Sequence, residues 1–289
     1  MNKQQTIKKY FNQKEKLTLK NKVYFNQVKK YLTNSLTDDL GSKGDITTNA
    51  LNKNNPQAQA IIIAKQDGIV AGLEETLWFS ASCKLKAVSY KKDGEKIKKG
   101  QTILALNGTI KNILKVERTI LNLMQRMSGI ATLTNKLASK TKNKVLICST
   151  RKTPLGLLDK KAVTVGGGGT HRLGLYDWIL IKDNHLNLTE NCKLKAVSSF
   201  WEIEIKNKNE ALKFSKLNPG AIMFDNMKPN QIINIIQILN KDYTNIIFEA
   251  SGGINEKNIL EYAKTGVDII SLGYLTHSSK ALDLSLEII

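Results

Sequence analysis

Past residue 143 the chain alternates between short apolar runs and amphipathic stretches. The runs fall at Val145–Cys148, Trp178–Ile181, Glu202–Ile205, Ala221–Phe224, Ile246–Phe248 and Asp268–Leu272. Helix-like segments at Lys208–Leu217, Pro229–Leu239, Glu256–Lys264 and Lys280–Ile289 separate most of them or close the series. Runs this short and apolar suit strands buried on both faces, and a spacing of roughly 20 to 35 residues is the pitch of βα units in a parallel sheet. Each run ends in a polar or glycine cluster: Thr150-Arg151-Lys152, Lys182-Asp183-Asn184-His185, Glu204, Asp225-Asn226, Ser251-Gly252-Gly253, and Gly273 through His277. In a β/α barrel the C-terminal strand ends converge on one mouth, where active sites sit. Such endings predict a barrel or near-barrel in preference to an open sheet.

The first half reads differently. Val23, Phe25, Val28 and Leu32 predict a helix over Val23–Thr33, giving way to a polar, glycine-punctuated loop at Asp38–Asp45. From Ala58 to Leu106 the texture is strand-like, with turns at Asp67-Gly68, Asp93-Gly94 and Gly100. Ile113, Val116, Ile120, Leu123, Met124 and Met127 then recur at three and four, predicting one long helix over Ile110–Leu137. The expected organisation is a lysine-rich leader over 1–22, an α/β unit over 23–120 and a barrel over 121–279, with a C-terminal helix at 280–289. The first 30 residues hold nine lysines and one acid, with no apolar run suited to a signal peptide, and read as a frayed extension or an early helix.

Charge changes this picture less than its size implies. The 289 residues carry 44 Lys+Arg against 25 Asp+Glu, a formal charge of +19. Only Arg118, Arg126, Arg151 and Arg172 are arginine, so the excess is lysine spread along the chain. Nucleic-acid surfaces enrich arginine for its planar fork, so this bias reads as a solvated surface and not as a nucleic-acid site. No apolar stretch is long enough to span a membrane. Three scattered cysteines, Cys83, Cys148 and Cys192, fit a reducing cytoplasm better than a disulfide framework.

The rare residues nominate chemistry. Arg118, Arg151, Lys152, His171, Arg172 and Lys182 form a cationic set that would repel itself without a polyanion, and arginine pairs with planar carboxylates through two parallel hydrogen bonds. Glu202, Glu204 and Asp225 form an acidic set. Alternation puts Glu202 and Glu204 on one strand face, suited to a ribose, to Mg²⁺ or to a salt bridge with Lys152 or Lys182. Ser251-Gly252-Gly253 and Gly273 with His277 stand where barrel phosphate loops stand. Gly166–Gly169 lacks the Gly-Lys-Ser/Thr of a Walker loop and reads as a tight turn presenting His171 and Arg172. No metal-ligand cysteine pair and no Gly-x-Ser-x-Gly elbow is present.

Ordered strings along nearly the whole chain resemble one family. Thr150-Arg151-Lys152-Thr153, Gly166-Gly167-Gly168, His171-Arg172 and Ile181-Lys182-Asp183-Asn184-His185 are similar to nicotinate-nucleotide pyrophosphorylase (carboxylating), also called quinolinate phosphoribosyltransferase. So are Asp38-Asp39-Leu40-Gly41, Gly44-Asp45-Ile46-Thr47, Glu117-Arg118-Thr119, Leu121-Asn122, Ser128 to Thr132, Glu249 to Ile254 and Leu275 to Ser278. The resemblance implies an N-terminal α/β sandwich followed by an incomplete, TIM-like β/α barrel, with the C-terminal helix returning toward the first domain, and a homodimer or higher even oligomer in which Arg118 reaches the neighbouring subunit. It implies that Arg118, Arg151, His171, Arg172 and Lys182 bind the two carboxylates of quinolinate. Lys152, Glu204 and Asp225 would be catalytic and face phosphoribosyl pyrophosphate. Glu204 and Asp225 would also face its Mg²⁺, and Ser251, Gly252, Gly253, Gly273 and His277 its 5-phosphate. The implied activity is decarboxylating phosphoribosyl transfer in NAD synthesis.

One segment departs. Pro154-Leu155-Gly156-Leu157-Leu158 has no arginine after its glycine, and the stretch to His171 is shorter than the family pattern. That leaves room for a related, molybdenum-transport-associated phosphoribosyltransferase acting on another acceptor. The distant alternative is a basic RNA-binding protein on a retired barrel.

Overall fold

The computed structural model describes residues 1–187 and 199–289; Cys192 lies outside them. The elements begin with α1 (Lys3–Tyr10), a 3-10 turn (Lys14–Lys16), α2 (Lys22–Leu40), α3 (Ile46–Leu51), β1 (Gln57–Ala64) and β2 (Gly68–Ile69). Next come α4 (Leu73–Ser82), β3 (Lys86–Ser89), β4 (Lys96–Ile97), β5 (Thr102–Thr109), α5 (Ile110–Lys140), β6 (Leu146–Ser149) and α6 (Leu157–Val165). Then follow β7 (Ile179–Ile181), α7 (Asp183–Asn187), β8 (Trp201–Ile205), α8 (Lys208–Ser215), β9 (Ala221–Asp225) and α9 (Pro229–Leu239). The chain ends through β10 (Ile247–Ser251), α10 (Ile259–Ala263), β11 (Ile269–Leu272), α11 (Tyr274–His277) and β12 (Leu284–Ile288). They fall into two compact units. Unit 1 comprises Met1–Gln13, Lys136–Thr153 and Gly168–Ser278; unit 2 comprises Lys14–Asn135, Pro154–Gly167 and Ser279–Ile289.

Unit 2 is the α/β sandwich, an antiparallel sheet in the order β12-β1-β5-β3 with helices packed on it. Alternation in β1 buries Ala60, Ile62 and Ala64, and β5 buries Ile103 through Leu106. The long helix forms as its periodicity requires, with Ile113, Val116, Ile120, Leu123, Met124 and Met127 all fully buried. In α2 the buried face is Tyr24, Val28 and Leu32, while Val23 is exposed. Asn21 caps that helix through the N–H groups of Val23 and Tyr24, at 3.0 and 3.2 Å.

Three sequence readings change here. The helix α2 runs on through Asp38 and Asp39, expected as loop, and stops only where Gly41 takes φ +51°. The C-terminal stretch expected as a helix is the strand β12, antiparallel to β1 with Ala60 opposite Ile288 and Ala64 opposite Leu284. Leu284, Leu286 and Ile288 recur at every second position, and the edge of β1 supplies the partner that a period of two needs. Finally, the division expected near residue 120 falls inside α5, at 135/136, and the leader is split, with residues 1–13 belonging to unit 1.

Unit 1 is the incomplete barrel. Its six parallel strands follow the order β7-β8-β9-β10-β11-β6, so the last strand in sequence pairs with the first. The other edge of β6 meets Gly169 in a single bridge. Phe11, fully buried, packs with Cys148, Trp178, Leu180, Ala221, Met223, Ile247 and Ile269. Ala221, Ile247 and Ile269 begin their strands, so Phe11 closes the end of the barrel opposite the C-terminal strand ends. Asn2 starts α1 with a capping box to Gln5, so the first part of the leader is an ordered helix.

Candidate active site

A cavity of about 1030 Å³ opens at the C-terminal ends of the unit 1 strands. Its lining includes Arg151 and Lys152 after β6, Lys182 after β7, Glu204 from β8, Asp225 from β9, Ser251, Gly252 and Gly253 at the end of β10, and Gly273 and His277 after β11. His171 and Arg172 line it too. Every sequence-nominated residue of unit 1 is therefore in this cavity except Glu202, which sits beneath it. Arg118 belongs to unit 2, where it is exposed beside Glu117 at 3.8 Å, near a smaller pocket with Asp38, Asp39 and Asn122.

The cavity is unbalanced in charge. Lys182 is paired with Glu204. Arg151, Lys152 and Arg172 have no ion-pair partner among the described residues. Arg172 is only 6% exposed, and among the described residues its guanidinium makes one hydrogen bond, a long 3.5 Å contact to the Trp178 carbonyl. Burial first and the nearby Arg151 second pull this guanidinium below its ordinary pKa. A buried cation held beside a second cation is costly unless an anion arrives, and arriving anions are what the arrangement selects.

Beneath the cations lies a buried acidic layer. His171 Nε2 is 3.2 Å from Glu249 Oε2 and 3.5 Å from Glu202 Oε2, and both carboxyls are fully buried. The other ring nitrogen, Nδ1, accepts the Arg172 backbone N–H at 2.8 Å. An acceptor at Nδ1 places the neutral ring's proton on Nε2, which faces the two acids, and Nε2 and the four carboxyl oxygens complete no hydrogen bond among the described residues. Burial opposes a charge on the ring, while Glu249 and Glu202 outweigh it and raise His171 to about 9. Burial and then Glu249 push Glu202 up to about 8. His171 was expected to bind carboxylate directly; in this structure both its nitrogens face protein groups.

The glycine loops divide by role. Gly252 and Gly253 have φ +90° and +63°, and a Cβ on Gly252 would stand 2.4 Å from Asn226 Oδ1. Both glycines line the cavity. The Gly166–Gly169 run is packing: a Cβ on Gly166 would meet the Ala131 carbonyl at 2.4 Å, and one on Gly169 the Phe11 carbonyl at 2.6 Å.

Comparison with known proteins decides the family. The N-terminal and C-terminal domains of quinolinate phosphoribosyl transferase match residues 45–128 and 130–287. A probable nicotinate-nucleotide pyrophosphorylase (carboxylating) from Methanothermobacter thermautotrophicus is 39% identical over 86% of this chain and 95% of its own. The chain belongs to the quinolinate phosphoribosyltransferase family. A probable carboxylating enzyme of the same name from Bacillus subtilis is 38% identical over 91% of this chain and 93% of its own. The nicotinate-nucleotide pyrophosphorylase structure from Francisella tularensis superposes with a TM-score of 0.82 at 32% identity, covering 91% of this chain and 96% of that one.

Against this quinolinate phosphoribosyltransferase frame, the sequence reading missed Glu249 as a site residue. Its signal was present, since an acid inside the apolar run Ile246–Ala250 has to find a buried partner. The departing segment also gains a physical account: Leu157 and Leu158 are buried in the first turn of α6 within unit 2, so apolar side chains are what that position accepts. No helix among the described residues is long and apolar enough to cross a membrane.

Proposed function

We propose that the protein transfers the phosphoribosyl group of phosphoribosyl pyrophosphate to the ring nitrogen of quinolinate, releasing pyrophosphate and CO₂ and forming nicotinate mononucleotide. The observation that carries this reading is the set of unpaired cations, Arg151, Lys152 and Arg172, in one cavity at the strand ends. Two substrates bearing several negative charges each are the ligands that such a cavity favours. Arg151 and Arg172, with Lys182, are assigned to the acceptor's two carboxylates, and His171 to the clamp through Arg172. Lys152 is assigned to the leaving pyrophosphate, and Ser251, Gly252, Gly253, Gly273 and His277 to the 5-phosphate. Arg118 is assigned to the barrel of a second copy in a homodimer. Scattered cysteines, with no disulfide at Cys83 or Cys148 among the described residues, support a cytoplasmic setting.

The chemistry follows from these assignments. The pyridine nitrogen lone pair forms the bond to C1 of the ribose as the C1–O bond to pyrophosphate breaks. Positive charge grows on the ribose in between, and the carboxylates of Glu204 and Asp225 stabilise it. The quaternised ring then accepts the electron pair left by the adjacent carboxylate as CO₂ departs, and that carbon takes up a proton. Holding two anions in register removes much of the entropic barrier, and the unpaired cations do that work. The Asp225 carboxylate makes no hydrogen bond or ion pair among the described residues, and a carboxylate so placed fits Mg²⁺, with Glu204 lining the same cavity. Bound there, Mg²⁺ would neutralise the pyrophosphate.

The test is turnover of carboxyl-labelled quinolinate with phosphoribosyl pyrophosphate and Mg²⁺. Labelled CO₂ and nicotinate mononucleotide in equal amounts are expected. Binding of the donor with no CO₂ released points to the other acceptor, and no donor binding removes the reading altogether.

A further inference from the structure

Tyr10 to Gln13 take no part in the reaction above, yet they grip the segment that carries the acceptor clamp. The Phe11 carbonyl accepts the His171 N–H at 3.1 Å and the Thr170 hydroxyl at 3.2 Å. The same Thr170 oxygen accepts the Gln13 backbone N–H at 3.1 Å. The Gln13 side-chain amide, on a residue 1% exposed, donates to Asp177 Oδ2, which also accepts the Leu173 N–H at 2.9 Å. Beyond it the Trp178 indole N–H donates to the Tyr10 carbonyl at 3.2 Å. The chain is thus tied to the N-terminal segment on both sides of Arg172.

What these bonds hold is unusual backbone. His171 lies at φ +49°, a region that a residue with a Cβ seldom occupies, and that turn sets the Arg172 N–H on His171 Nδ1. The Phe11 ring meets the His171 ring edge-on at 5.4 Å, which closes the underside of the imidazole. Arg172 has no carboxylate partner to aim its guanidinium, so its aim comes from its backbone and the walls around it.

We infer that Phe11 and Gln13 are positioning residues, which hold His171 and Arg172 in the orientation that receives the acceptor's carboxylates. The lysine-rich N-terminal segment is on this account part of the acceptor site's support. The inference rests on the quinolinate reading for its substrate, and on the geometry alone for the grip.

The deciding experiment inverts one hydrogen bond. Gln13→Glu sets a carboxylate against Asp177; Gln13→Glu with Asp177→Asn restores a donor and an acceptor in exchanged positions. The single variant should raise the quinolinate KM by about tenfold or more while the donor KM stays within about twofold, and the double variant should return most of that change. Gln13→Met, which keeps the volume and removes the donor, carries the test if Gln13→Glu does not fold. Both KM values unchanged, or both rising together without rescue, would overturn the inference. The ring signal of His171, one of only three histidines, gives a second readout by proton NMR. It should move in the single variant and return in the double one; an unmoved signal overturns the grip whatever the substrate. A wild-type protein that does not turn over quinolinate, with the His171 signal moving and returning, sinks the functional reading and leaves the grip standing.

Discussion

Two arginines show opposite uses of one scarce side chain. In unit 2, Arg126 Nε and Nη2 each meet a carboxylate oxygen of the fully buried Asp159 at 2.8 Å, a two-point pair. In unit 1, Arg172 is only 6% exposed, against 28% for the Arg126 side chain, and has no carboxylate partner among the described residues. Both are rare residues in a lysine-rich chain, so rarity alone nominates both. The partner is what separates them. A paired arginine has spent its hydrogen-bonding capacity on the fold, whereas an unpaired one keeps it for a ligand.

Substituting each arginine should therefore break a different property. Arg172→Ala removes charge-assisted hydrogen bonds worth about 1.5–3 kcal/mol each, and losing a two-point contact lowers kcat/KM for quinolinate by more than about a hundredfold. Its Tm should stay near the wild-type value, because no ion pair of the fold is lost. Steady-state kinetics with a thermal melt checks both halves, and unchanged quinolinate kinetics would remove Arg172 from the clamp. Arg126→Ala should do the reverse. It leaves Asp159 buried without its fork, at a cost of about 3–5 kcal/mol, seen as a lower denaturation midpoint in urea. The quinolinate KM of the protein that remains folded should not move. A large KM change would mean that Arg126 also serves the site.

How far such roles were legible in the sequence follows from the same contrast. The parallel strands were readable because strands buried on both faces must be apolar throughout, and their polar endings marked the mouth. Long amphipathic α5 was readable from six apolar positions. Depth within the barrel was not. Alternation correctly placed Glu202 and Glu204 on one face, yet Glu202 sits fully buried against His171 while Glu204 meets Lys182 at the mouth. Residues two apart on a strand share a face and differ in depth, and depth decided their chemistry. Nor does local pattern reveal partners distant in sequence. Strand β12 reads as a helix until the edge of β1 is known, and Phe11 looks like a stray aromatic until the barrel it closes is assembled.

Burial without a counter-ion has a third outcome, and Glu75 in unit 2 supplies it. Glu75 is fully buried and accepts a hydrogen bond from the Tyr24 hydroxyl at 2.6 Å. Burial, followed by the charge of Asp93, raises its carboxyl from 4.5 to about 7. Arg126 meets its acid and Arg172 awaits one; Glu75 instead takes a proton. The sign of the consequence is set by proton counting. Between pH 4.5 and about 7 the folded protein holds a proton here that the unfolded chain has released. The stabilisation is thus present below the unfolded pKa and is lost as pH rises through the folded one, by about 3 kcal/mol in all. Glu75→Gln keeps an acceptor for Tyr24 and stays neutral at every pH, so it should match the wild type near pH 4 and exceed it increasingly toward pH 8. The difference between the two unfolding curves, measured across that range, isolates this one group. If the difference does not grow with pH, Glu75 is an ordinary carboxylate held by its neighbours. Unit 2 would then handle all its buried charge by pairing, and the contrast with the unpaired cations of unit 1 would become sharper still.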